Sequence, residues 1–243
     1  MGKLEPSIKL KNVCLYYPIE KKKGFLIKDH NLSTNTDPRI KYYNSKIQIS
    51  ALENINLNIS KGEIIGLVGK NGSGKTSFLK VLSKALYPSL GELEINGKVS
   101  SILELNFGLN KELTGKENIE IISLIHGVTS NKIENVINNV IDFTDLGEFI
   151  NFPVRTYSSG MQARLTFGIV TILDQDILLV DEVIGVGDAQ FRVKAENRFN
   201  EIVSRSGIVI IASHNESIIS TLCNRILKFK NGKIIEDISN SII

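Results

Sequence analysis

Ile64-Ile65-Gly66-Leu67-Val68, followed by Gly69-Lys70-Asn71-Gly72-Ser73-Gly74-Lys75-Thr76, decides how the rest of the sequence is read. The first stretch is apolar on both faces, the pattern of a strand buried in the middle of a sheet. The second fits Gly-x-x-x-x-Gly-Lys-[Ser/Thr] without deviation, and a helical pattern over 76–86 comes after it. A chance glycine-rich turn lacks that strand-before, helix-after context. In it, glycines let main-chain N–H groups close on phosphate oxygens, and the positive end of the helix faces them. Lys75 would bridge the β- and γ-phosphates of a nucleotide, and Thr76 would offer its hydroxyl to Mg²⁺. Gly69, Asn71, Gly72, Ser73, Gly74, Lys75, Thr76 and the adjoining Ser77 are therefore candidate nucleotide contacts.

Three further stretches supply what a phosphate cradle lacks. Ile177-Leu178-Leu179-Val180 is another buried strand, and it ends in Asp181-Glu182. Asp181 is suited to hold Mg²⁺ through its water shell. Glu182 is suited to polarise an attacking water as general base. His214 closes the apolar run 208–212, at a strand end where α/β folds place ligands. Tyr157-Ser158-Ser159-Gly160-Met161 puts small residues before a helix, which would make a second anion site or an ordinary helix cap. A second anion site is superfluous within one subunit, so Ser158, Ser159 and Gly160 make sense against a nucleotide held by another copy.

Composition narrows the classes around these motifs. The chain has 243 residues, 42% hydrophobic and 23% charged, enough to bury a large core. Lys and Arg number 29 against 26 for Asp and Glu. That mild excess argues against nucleic acid, whose binders carry a concentrated basic face. Cys14 and Cys223 stand far apart, with no metal-ligand spacing. No stretch approaches the roughly 18 apolar residues of a membrane span, so service to a membrane requires docking on a protein that crosses it.

Patterning then organises the chain. Residues 8–16 read as a strand. Residues 18–49 break the pattern with Lys, Asn, Asp, Ser and Thr, and with Asp37-Pro38 as a turn signal, and read as a polar insertion or long surface loop. From Ala51, Ile55, Leu57 and Ile59 alternate with asparagines as in a half-buried strand. Thr114-Gly115-Lys116-Glu117 has the form of a capping box opening a helix to about His126. Ile133, Val136, Ile137, Val140 and Ile141 mark an amphipathic stripe. A helix is expected from Ser159, burying Leu165, Ile169 and Ile172, and Asn231-Gly232 reads as a hairpin turn. Together these predict an α/β core with a helical insert over roughly 100–160.

With these elements in this order the sequence resembles the nucleotide-binding subunits of ATP-binding cassette proteins, from about Ile8 to Asp237. The resemblance implies an α/β phosphate-loop NTPase fold with a RecA-like core, an antiparallel β subdomain and a helical subdomain, in one nucleotide-binding domain over 1–243. It implies ATP and Mg²⁺ as cofactors, and a head-to-tail homodimer in which one copy's phosphate loop and the other's signature enclose each nucleotide. Residues 157–161 stand at the family's Leu-Ser-Gly-Gly-Gln signature, and Arg164 at the arginine that comes after it. Asp188 matches the D-loop aspartate, and Tyr17 the aromatic that stacks on adenine, with Tyr16 competing. The Q-loop region, 102–108, contains no Gln; Glu104 is the nearest polar residue and the candidate metal contact there.

The departures are similar to one branch of the family. Leu103-Glu104-Leu105, 112–119, Thr156 with 157–161, and 181–188 together resemble exporters of bacterial O-antigens, capsules and teichoic acids. Resemblance to that branch implies an ATPase peripheral to the cytoplasmic face of the membrane, beneath an integral membrane permease, not contacting the polysaccharide cargo itself. The chain resembles members without a C-terminal carbohydrate-binding domain. Soluble cassette ATPases carry paired cassettes or long coiled coils, which this compact sequence does not. A phosphate-loop kinase has no use for Ser158–Gly160 with Asp188. A cassette subunit for another cargo, a drug, lipid or small solute, is the competing reading.

Overall fold

Alternation sets the first sheet. Ile55, Leu57 and Ile59 are buried while Asn54, Asn56 and Asn58 face solvent, so β3 (Lys46–Ser60) buries one side as it runs antiparallel to β1 (Ser7–Ile19). The structure, a computed structural model, describes residues 5–19, 37–43, 46–102, 108–181 and 189–239. β3 begins at Lys46 rather than at Ala51, and its first residues pair with β2 (Ile40–Tyr43) in register Ile40↔Ile49 to Tyr43↔Lys46. Ile47-Gln48-Ile49 carries the alternation, which the polar residues around it obscure in sequence. With β5 (Leu90–Asn96) on the far side of β1, the order of this sheet is β2-β3-β1-β5.

The chain divides into two compact units, Met1–Asn96 with Ile210–Ile243, and Gly97–Val209. In the first, β4 (Ile64–Val68) lies parallel to β9 (Arg225–Lys230), and β10 (Lys233–Ser239) returns antiparallel along β9. Asn231 and Gly232 make that return at φ 50° and 77°, the left-handed pair that a two-residue hairpin demands. Behind β4, α1 (Lys75–Leu82) buries Phe78, Leu79, Val81 and Leu82, with the Phe78 and Phe229 rings 5.3 Å apart. Each such side chain contributes roughly 1.5–3 kcal/mol by leaving water. The helix ends at Leu82, short of the expected 86, because Ser83 caps it and Lys84 turns left-handed at φ 60°.

Arg225 locks the foot of this unit. Its guanidinium grips Asp237 at 2.6 and 2.8 Å, Glu63 at 2.7 Å and the Asn58 carbonyl at 2.9 Å. α6 (Glu216–Leu222) is capped by Asn215, whose side chain accepts from the Ser217 amide.

In the second unit β6 (Val99–Ile102) is parallel to β7 (Ile177–Asp181). α2 (Gly115–Ile125), α3 (Ser130–Thr144) and α4 (Ser159–Ile172) share a core that includes Ile119, Ile133, Ile137, Val140, Leu165 and Ile169. The capping box forms as expected: the Thr114 hydroxyl accepts from the Glu117 amide, and the Glu117 carboxylate accepts from the Thr114 amide. α5 (Ala189–Arg205) completes the unit, and β8 (Ile208–Ala212) carries the chain across the boundary between the two.

Candidate nucleotide-binding site

The loop 69–76 leaves the end of β4 and enters α1. Phe78 N–H makes the first helical bond, to the Gly74 carbonyl at 2.8 Å, which leaves the N–H groups of Lys75, Thr76 and Ser77 outside the helix ladder. Gly74 is the N-cap residue and supplies no side-chain cap, and no acidic side chain sits in the first turn. The helix therefore presents bare donors and a positive end, which an anion satisfies. Gly74 is required twice over: its φ is 115°, and a Cβ there would stand 2.9 Å from the Ala51 carbonyl. At Gly69 a Cβ would meet the Phe229 carbonyl.

Polar groups converge on the loop. The Lys75 side chain is buried, and its ammonium donates to the Gly69 carbonyl at 2.7 Å and the Lys70 carbonyl at 3.3 Å. The Ser73 hydroxyl is buried and has no hydrogen-bond partner among the described residues. A buried, unsatisfied hydroxyl costs about 1–3 kcal/mol, so a group that supplies its partner is favoured. Asn71, Gly72 and Thr76 are exposed, and Ser77 is half-buried. This set fits the oxygens of a nucleotide's phosphates: neutral donors, one ammonium, and a hydroxyl without a partner.

Sequence reading missed how the loop is braced. The Gly232 amide donates to the Ser73 carbonyl at 2.8 Å, and the Glu53 amide to the Gly232 carbonyl at 2.9 Å. Asn231-Gly232 signalled a turn, but nothing in its spacing said where the turn would dock. Arg39, within the polar stretch, donates to the Gly72 carbonyl at 2.5 Å and grips Asp37.

Of the two aromatic candidates, Tyr17 is 38% exposed on β1. Tyr16 is half-buried with its phenol against Cys14; that hydrogen bond and burial push its pKa up to about 12. His214 is exposed beyond the end of β8. Phosphate loop, Tyr17 and His214 all belong to the first unit.

In the second unit, Asp181 ends β7 half-buried after four fully buried residues. Glu104, Glu182 and Asp188 lie outside the described residues. Ser158 and Ser159 are exposed where α4 begins, and the Ser158 hydroxyl accepts from the Met161 amide at 3.2 Å. Gly160 has room for a side chain: among the described residues the nearest atom to a Cβ there is Ser158 Oγ at 3.9 Å. Arg164 stacks on the Phe191 ring, 4.7 Å from its centroid. Tyr157 is buried, donates to the Phe149 carbonyl at 2.6 Å and lies against the Gly115 amide. Two motifs that stand far apart in sequence, around 115 and 157, thus meet through one phenol.

Fold and loop together define a phosphate-loop nucleotide-binding domain of the α/β class. The chain belongs to the ABC transporter family, whose pattern matches residues 52–185. It is 38% identical to the O-antigen export system ATP-binding protein RfbE of Yersinia enterocolitica, over 95% of this chain and 97% of that protein. It is also 38% identical to the teichoic acids export ATP-binding protein TagH of Listeria innocua, over 86% of this chain and 64% of that longer protein. In fold it is similar to the dimeric, post-hydrolysis structure of the ATP-binding cassette MJ0796 bound to ADP and Pi, with a TM-score of 0.71 and 20% identity over 96% of this chain and 98% of that one.

Proposed function

We propose that this chain is the ATP-hydrolysing subunit of a bacterial exporter that drives a lipid-linked cell-surface polysaccharide across the membrane. The observation that carries the nucleotide reading is the uncapped start of α1 with the partnerless Ser73 hydroxyl and the buried Lys75 ammonium beside it. The cargo class rests on relatives matched over nearly their whole length, such as RfbE. No observation favours a different cargo.

In this reading adenine stacks on Tyr17, the main chain of 69–76 takes the phosphates, and Ser77 adds a hydroxyl. Lys75 exchanges its loop carbonyls for β- and γ-phosphate oxygens. Thr76 and Asp181 would hold Mg²⁺, with Glu104 contributing, and the ion would offset charge on the phosphates. Glu182 orients a water and accepts its proton. The water oxygen attacks the γ-phosphorus, the bond to the β–γ bridging oxygen breaks, and ADP and phosphate leave. His214 contacts the γ-phosphate.

A second copy supplies Ser158, Ser159 and Gly160 across the nucleotide, with Asp188 at the junction, in a head-to-tail homodimer. Among the described residues no helix is long and apolar enough to cross a membrane. The work is delivered to an integral permease from the cytoplasmic face. The polysaccharide passes through the permease without touching this chain.

The test joins chemistry to cargo. The full chain should release phosphate from MgATP, and Lys75→Ala should abolish nucleotide binding. In the source cell, replacement by Lys75→Ala should remove a surface polysaccharide. An intact surface with an inactive ATPase would contradict the cargo assignment.

A further inference from the structure

The phosphate loop is held by a residue outside its motif. Arg39 Nη1 donates to the Gly72 carbonyl at 2.5 Å, while Nε donates to both Asp37 carboxylate oxygens at 2.8 and 3.1 Å and Nη2 to Oδ2. The Arg39 main chain is fixed as well. Its amide donates to Asp37 Oδ1 at 3.0 Å, and its carbonyl accepts from the buried Ser50 amide at 2.7 Å, at the head of the β2–β3 ladder. Bidentate pairing of a planar guanidinium leaves it one aim, so the free arm is delivered to Gly72 in a set direction. Asp37 stays charged throughout: Arg39 holds its carboxyl down at about 2.

Gly72 stands at φ 73° in the middle of the cradle, and the peptide that joins it to Ser73 is gripped at both ends. Its carbonyl is taken by Arg39, and its N–H by the Lys70 carbonyl at 3.0 Å. A glycine peptide flips readily, and a flipped one presents an oxygen where an anion needs a donor. We infer that Arg39, anchored by Asp37, is a positioning residue of the nucleotide site: it fixes the Gly72–Ser73 peptide so that the loop is preformed for a nucleoside triphosphate. This gives part of the polar stretch 18–49 a task at the phosphate loop. The inference rests on the nucleotide reading above and deepens it.

MgATP is titrated against the full-length wild type and the Arg39→Ala, Arg39→Lys, Asp37→Asn and Lys75→Ala variants. Amide hydrogen exchange is followed over 70–74, and each nucleotide-free protein is melted. Arg39→Ala should weaken MgATP binding roughly tenfold, the scale of one lost charge-assisted hydrogen bond in a preorganised site. Exchange at Gly72 and Ser73 should quicken in the same variant. Arg39→Lys, whose ammonium can donate but has no planar fork, should fall between Arg39→Ala and wild type. Asp37→Asn should weaken binding in the same sense. If wild type binds MgATP, Lys75→Ala does not, and Arg39→Ala binds as tightly as wild type, this inference is overturned while the nucleotide reading stands. If wild type itself does not bind MgATP, the nucleotide reading falls first.

Discussion

Tyr157 stands where the family's signature has a leucine, and its hydroxyl explains the exchange. Gly115 opens α2, and its N–H is one of the donors a helix cannot satisfy internally. The phenol lies against that amide and donates to the Phe149 carbonyl. Tyr157→Phe should therefore destabilise the fold by about 1–2 kcal/mol, since the Phe149 carbonyl and the Gly115 amide each lose a partner. Urea unfolding measures it, and an unchanged midpoint would remove the phenol from this role. At Gly74, Ala would force a left-handed φ on a residue with a Cβ and press it on the Ala51 carbonyl. Gly74→Ala should lose MgATP binding and cost about 1–3 kcal/mol in stability.

At the scale of elements, two helix N-termini divide the labour differently. α1 begins at a glycine without a side-chain cap, whereas α4 begins at Ser158, whose hydroxyl already serves the Met161 amide. α2 has the full reciprocal box, so Thr114→Ala should cost about 1 kcal/mol, read by the same unfolding curve. The hairpin of β9 and β10 is held by Arg225, whose hydrogen bonds and charge lower the pKa of Asp237. A carboxyl with a lowered folded pKa stabilises the fold above its unfolded value, near 4, and loses that stabilisation as pH falls further. Stability should therefore drop below about pH 4 in the wild type and less steeply in Asp237→Asn.

The elements were the legible part. Val68-to-Thr76, Thr114-to-Glu117 and Asn231-Gly232 declare themselves because their signals are local: a motif, a reciprocal cap, a two-residue turn. The strand at Lys46 was harder, since three alternating residues are lost in a polar run. Arg39 on Gly72, Gly232 on Ser73 and Tyr157 on Gly115 were not legible, because each joins segments whose proximity only the sheet and helix packing creates. Glu104, Glu182 and Asp188 remain readings from sequence, outside the described residues.

At the scale of the whole molecule, a shared site requires two copies. In the proposed reading each unit carries part of the chemistry: residues 69–76 lie in one, Ser158, Ser159 and Gly160 in the other. Among the described residues Gly160 has no neighbour that a larger side chain would strike, so Gly160→Asp should fold normally. Its carboxylate should nonetheless oppose a partner's γ-phosphate, leaving MgATP binding near wild type while hydrolysis falls at least tenfold. Loss of MgATP binding in this variant would mean that Gly160 serves its own copy's loop.

The most direct measurement uses Glu182→Gln, which removes the proposed base and should leave ATP bound but uncleaved. Sedimentation of this variant with MgATP should give a species of two copies holding two nucleotides, reverting to one copy without ATP and failing to form when Gly160→Asp is added. A single copy that retains ATP, or one that hydrolyses it at the wild-type rate, would contradict the shared site.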